Sequence, residues 1–234
     1  MEGRIIGSIA WRRRLIGAAW VLTALVLVLW LWVDRVGPLP GDRLAMTTYR
    51  GGQAGGRLAD LSHFLYFLAT PSVAALTVTV ATWVVARNVS LAAGLAVPAA
   101  AAAVLPNAVL KWLLGPPAQV LEFVVGDRAS YPSGHVAYAA ALFGWLAIVG
   151  WRTGRREVSV IMIALAAAMG PARVLAGAHF PSDVVGGYAV GGAWLVCLVL
   201  VWDRFVVGRA TPVSQVRLDE PGVTGAERAS SAWN

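Results

Sequence analysis

Four short stretches of the chain carry residue types that can act on an anion. Lys111 is the only lysine among the 234 residues. The run Tyr131-Pro132-Ser133-Gly134-His135 joins a hydroxyl, a glycine and an imidazole behind a proline. Arg173 stands in an otherwise apolar run, and His179-Phe180-Pro181-Ser182-Asp183 sets a carboxylate four residues after a histidine. Pro132 and Pro181 each fit the first turn of a helix, where a missing N–H costs nothing. A helix start exposes unpaired N–H groups and the positive end of the macrodipole, so it can hold an anion. The N–H groups near Ser133, Gly134 and His135 are therefore expected to face a cavity, and Gly134 has no side chain to block an anion's approach. Lys111 and Arg173 add two cations, and an arginine fork matches phosphate oxygens. If a helix opens at Phe180 or Pro181, Asp183 lies one turn from His179 on the same side. A carboxylate on one ring nitrogen fixes the tautomer and leaves the other as a nucleophile. His135 is then free to give a proton to a leaving oxygen and later to take one from water. Phosphoryl transfer is the chemistry this set suits.

Each residue taken alone has a plainer reading. Lys111 can snorkel to an interface. Ser133 can be a helix cap, and Asp183 a first-turn carboxylate. Arg173 can anchor topology, and His135 can be an interfacial polar residue. His63 reads as interfacial and structural, and Cys197 as a small buried apolar side chain. The single cysteine excludes an intramolecular disulfide and a cysteine-based metal site.

The elements that would position these residues read as membrane spans. The chain is 58% hydrophobic and 13% charged, against roughly a quarter charged in soluble domains. Long charge-free runs alternate with short Arg-bearing connectors. Residues 15–33 form an apolar run behind Arg12, Arg13 and Arg14. It is too long for a signal peptide and is expected to stay as a first span. Residues 34–56 are polar, and 57–67 suit a short interfacial helix. Further spans are expected at 71–86, 91–114, 132–150, 158–175 and 181–202, giving an all-α, six-span transmembrane bundle. Residues 1–14 read as a basic cytoplasmic terminus, 15–202 as one membrane domain, and 203–234 as a disordered cytoplasmic tail.

The net charge of +7 rests almost wholly on arginine. The arginines cluster between apolar runs as topology determinants, not along a groove, which argues against nucleic acid as a partner. They favour both termini in the cytoplasm, although Arg35, Arg43, Arg50 and Arg57 share one outer loop. Spans three and five then end outside, and spans four and six begin there. All four chemistry-bearing stretches thus meet at the extracytoplasmic face of a cell-membrane protein.

At these residues the sequence resembles the type-2 phosphatidic acid phosphatases, integral membrane lipid phosphatases that share a core with the soluble vanadium haloperoxidases. Pro132, Ser133, Gly134 and His135 match the family's second motif. Arg173, His179 and Asp183 match its third in type and spacing. The first motif expects a lysine, six residues, then Arg-Pro. Lys111 is present, but Ala118 and Gln119 hold the Arg-Pro positions, and Pro116 stands where a further arginine often occurs. The resemblance implies that His179 attacks phosphorus to form a phosphohistidine and that Asp183 orients it. It makes His135 the general acid and gives phosphate oxygens to Lys111, Ser133, Gly134 and Arg173. It implies no metal and no cofactor. The substrate would be a lipid phosphate, monoester or pyrophosphate, among membrane lipids.

Two other readings stand beside this one. A lipid-phosphate binder or transporter would suit the altered first motif but needs neither histidine nor Asp183. An intramembrane serine protease would pair Ser133 with His179 but gives the two cations no role. Arg128, five positions before Ser133, is either a substitute for the missing arginine or a solvated loop residue paired with Asp127.

Overall fold

The computed structural model of the chain describes residues 9–49, 56–115 and 131–204. Arg128, Ala118, Gln119 and nearly all of the tail lie outside the described residues. Regular structure within them is entirely helical. Helix α1 (Ile9–Arg35) begins earlier than its apolar run, so Arg12, Arg13 and Arg14 lie exposed in its first turns. The polar segment after it contains an unexpected helix, α2 (Pro40–Tyr49). Pro40 suits its first turn, and the Asp42 carboxylate reaches back to accept the Leu39 N–H at 3.1 Å.

Helices α3 (Arg57–Leu68) and α4 (Pro71–Asn88) meet at a 64° bend. Pro71 opens α4. The run expected as the third span, Leu91–Leu114, is long and apolar enough to cross a membrane, and a short break divides it into α5 (Leu91–Ala101) and α6 (Val104–Leu114). Pro106 has no N–H to give the Ala102 carbonyl, which accepts instead from the Leu105 N–H at 2.9 Å. Then follow α7 (Gly134–Arg152), α8 (Arg156–Leu175) and α9 (Pro181–Trp202). Among the described residues five stretches are long and apolar enough to cross a membrane, and the bent α3–α4 pair brings the number up to six.

Helix α7 lies at the centre, in contact with α5, α6, α8 and α9. Val136, Ala137, Ala139, Leu142 and Trp145 along it have no exposed surface. The Trp145 indole N–H donates to the Ala93 carbonyl at 3.3 Å, so its polar end is satisfied inside the core. Helix α1 packs on α9 and turns Trp20, Val21 and Val28 outward, as a lipid-facing helix does. Lipid tails are as apolar as these side chains, so close approach of helices must come from small residues. Gly187 and Gly191 of α9 supply it, one against the backbone of Ser133 and the other against that of Ala137.

Candidate functional site

The α7 start is held from three sides. The Tyr131 hydroxyl donates to the Val26 carbonyl of α1 at 2.6 Å. Burial and the charge of Asp183 push the Tyr131 phenol up, so it remains a neutral donor. The Asn107 side-chain amide of α6 donates to the Pro132 carbonyl at 3.3 Å. The Ser133 N–H donates to the Asp183 carbonyl of α9 at 3.0 Å. That last bond changes the expected picture of the helix start, because the Ser133 N–H is already taken. The Ser133 side chain does not cap the helix either, and its buried hydroxyl has no partner among the described residues.

The connection from α8 to α9 is equally tight. Gly177, with φ of 62°, takes the left-handed conformation that ends α8 and turns the chain. The Ala178 and His179 N–H groups both donate to the Arg173 carbonyl, at 3.1 and 3.2 Å. Arg173 and His179 are thereby locked together. His179 Nδ1 lies 3.2 Å from the Asp183 carboxylate, which also accepts the Phe180 N–H at 3.1 Å. Both side chains of this pair are more than nine-tenths buried.

A cavity of about 1080 Å³ opens over these helix ends. Lys111, Gly134, His135, Arg173 and His179 line its polar side, and α4, α5 and α6 give it an apolar side. Arg173 is only 8% exposed, and its Nε has no hydrogen-bond partner among the described residues. Of the residues singled out in the sequence, the structure brings these five to one wall, with Ser133 and Asp183 just behind it. No group of three His, Cys, Asp or Glu side chains among the described residues is placed to hold a metal.

Three participants carry no signal in the motifs. His63 and Tyr66, from α3, line the same cavity, and their spacing of three on an interfacial helix was the available hint. Asp42 is 1% exposed and accepts the Ser182 N–H of α9 at 2.9 Å. Burial pushes its carboxyl above the ordinary range, with a further push from Asp183, while hydrogen bonds from Ser182 and Leu39 pull the other way.

A stretch of the chain is 39% identical over 75 residues to a lipid A 1-phosphatase of Rhizobium etli, covering 32% of this chain and 30% of that one. A lipid A 1-phosphatase of Rhizobium johnstonii is 40% identical over 75 residues, 32% of this chain and 29% of its own. The matched stretch thus spans under a third of either relative. The fold is similar to that of a transmembrane PAP2-type phosphatidylglycerolphosphate phosphatase from Bacillus subtilis, with a TM-score of 0.63 and 20% identity over 80% of this chain and 96% of that one. The PAP2 superfamily profile matches residues 89–206, just over half of the 234, and takes in every helix end that lines the polar wall except α3. The chain belongs to the PAP2 superfamily.

Proposed function

We propose that this protein is a membrane lipid-phosphate phosphatase that removes phosphate from a lipid monoester or pyrophosphate through a phosphohistidine. The observation that carries the proposal is the His179–Asp183 pair at 3.2 Å on a cavity wall shared with Lys111, Arg173 and His135. With Nδ1 turned to Asp183, His179 Nε2 is the nitrogen left to attack phosphorus. A P–N bond forms as the P–O bond to the lipid breaks, and His135 gives its proton to the leaving oxygen. Water then attacks phosphorus with His135 as base, the P–N bond breaks and phosphate leaves. Lys111, Arg173, the Ser133 hydroxyl and the Gly134 backbone hold the charge on the equatorial oxygens. Arg128 is assigned to the same task, in place of the arginine absent at residue 118.

The same reading places both termini in the cytoplasm and the site at the extracytoplasmic face, on the strength of the arginine distribution. Phosphate release by the purified protein from a panel of lipid phosphates in detergent is the test. His179→Ala should abolish turnover in a folded protein, and Asp183→Asn should leave a weaker, measurable rate because the nucleophile remains. A folded His179→Ala enzyme with wild-type turnover removes His179 from its role. The competing reading, a lipid-phosphate binder, is favoured by Ala118 and Gln119 alone. It predicts binding of the same panel without release.

A further inference from the structure

We propose that Tyr66 is a positioning residue that clamps the Arg173 guanidinium by its ring face and so keeps the arginine's N–H donors free for phosphate. The proposal deepens the phosphatase reading and rests on it for the identity of the anion. Arg173 is buried at the end of α8, and among the described residues its Nε has no hydrogen-bond partner and no carboxylate pairs with it. A long side chain in that position needs something to order it. The guanidinium carbon lies 4.8 Å from the centre of the Tyr66 ring. An aromatic face attracts a guanidinium through its quadrupole and consumes no hydrogen-bond donor. A carboxylate would hold the arginine as firmly but would occupy the fork that phosphate needs.

The same ring meets a second reacting group. The centres of the Tyr66 and His135 rings are 5.5 Å apart, with the planes tilted by 32°. One side chain thus touches both the cation assigned to phosphate and the imidazole assigned to the leaving oxygen. Tyr66 comes from α3, the short helix that meets α4 at a 64° bend, and α3 lies against α8. The matched family region begins at residue 89, so Tyr66 lies outside it.

The discriminating substitutions are Tyr66→Phe, which keeps the ring, and Tyr66→Leu, which fills space without a π face. Orthovanadate is the probe, its Kd measured by titration calorimetry on purified, detergent-solubilised protein checked for fold by size exclusion and Tm. Tyr66→Phe should bind within about twofold of wild type, and Tyr66→Leu about 5- to 30-fold more weakly, equivalent to about 1–2 kcal/mol for a cation–π contact between a buried arginine and a half-exposed ring. In an Arg173→Gln background, Tyr66→Leu should weaken binding no further, because the ring acts through the arginine. Equal vanadate affinity in wild type and Tyr66→Leu overturns the clamp, as does a full Tyr66→Leu loss in the Arg173→Gln background. If Tyr66→Leu fails to fold, Tyr66→Met repeats the comparison. A wild type that binds vanadate but releases no phosphate from any lipid sinks the phosphatase reading and leaves the clamp to be judged by these ratios. A wild type that binds no vanadate sinks both.

Discussion

A single methyl group at Gly187 should separate the two helix ends that carry the histidines. A Cβ at Gly187 would sit 2.6 Å from the Ser133 carbonyl oxygen and 2.9 Å from the Val136 Cβ. Ordinary contact starts at 3.4 Å, so the start of α7 must retreat from α9 by about 0.8 Å. The obstacle is backbone, which cannot swing aside as a side-chain tip does. The retreat stretches the Ser133 N–H bond to the Asp183 carbonyl, now 3.0 Å. It also moves His135, on α7, away from His179, which is fixed to α9 through Asp183. Misplacement of reacting groups by about 1 Å costs on the order of 100-fold in rate, and overpacking costs about 1–3 kcal/mol of stability.

Gly187→Ala should therefore lower kcat by about 30- to 100-fold, with a much smaller change in KM. The assay is phosphate release from a lipid phosphate in micelles, with Tm and size exclusion to separate misplacement from loss of fold. Gly192→Ala is the control. Its added Cβ would meet only the end of the flexible Leu22 side chain, at 3.2 Å, so kcat should stay within about twofold. A Gly187→Ala enzyme with wild-type kcat would refute the reasoning, because the α7 start could then shift without effect on the chemistry.

Three further outcomes are expected. The Asp42 carboxyl is raised by burial, so its contribution to stability is complete below its unfolded value and is lost as pH rises through its folded one. Asp42→Asn should accordingly gain in Tm relative to wild type as pH climbs from about 4 towards neutrality, and parallel Tm curves would contradict this. Activity should survive chelation and fall with vanadate, since the charge at the site comes from Lys111, Arg173 and helix starts; loss on chelation restored by Mg²⁺ would show otherwise. For topology, Arg128→Cys in a Cys197→Ser background should react with an impermeant thiol reagent in intact cells, the background being needed because Cys197, expected from the sequence to be buried, is instead exposed on α9. Labelling only after the cells are broken would turn the site to the cytoplasm.

The gathering of the candidate residues at one cavity was legible because their spacing is local. His179 and Asp183 share a helix start, and Pro132 to His135 are contiguous, so helix geometry alone predicts where they point. The span layout was legible because a charge-free run of sufficient length has few other uses. Helix α2 was not legible, because it is short, polar on average and set in a Gly- and Arg-bearing segment. Its place depends on Asp42 reaching Ser182, 140 residues away, and no local pattern encodes that distance. The break at Ala102 was written in Pro106 but was hidden by the unbroken hydrophobicity around it. Gly187 and Gly191 likewise stood four apart in the sequence, yet only the α7 backbone opposite them gives the spacing meaning.

The residues that hold the site together stand apart from the motif residues that would do the chemistry. Val26 of α1 receives the Tyr131 hydroxyl, Asn107 of α6 holds the Pro132 carbonyl, and Asp42 of α2 holds the Ser182 N–H. Each bond fixes a helix end rather than a catalytic side chain. A helix end is where unpaired backbone groups and the macrodipole act on an anion, and a small tilt there changes both. Buried polar anchors of this kind are costly to break, because the partner left behind stays desolvated. Sensitivity of the rate should therefore extend well beyond the motif residues. It should follow these three anchors and the Gly187 contact and leave the lipid-facing surface of α1 tolerant. The α1 face that carries Trp20 and Val28 touches none of the helix ends, and substitution there within apolar types leaves the geometry of the cavity wall intact.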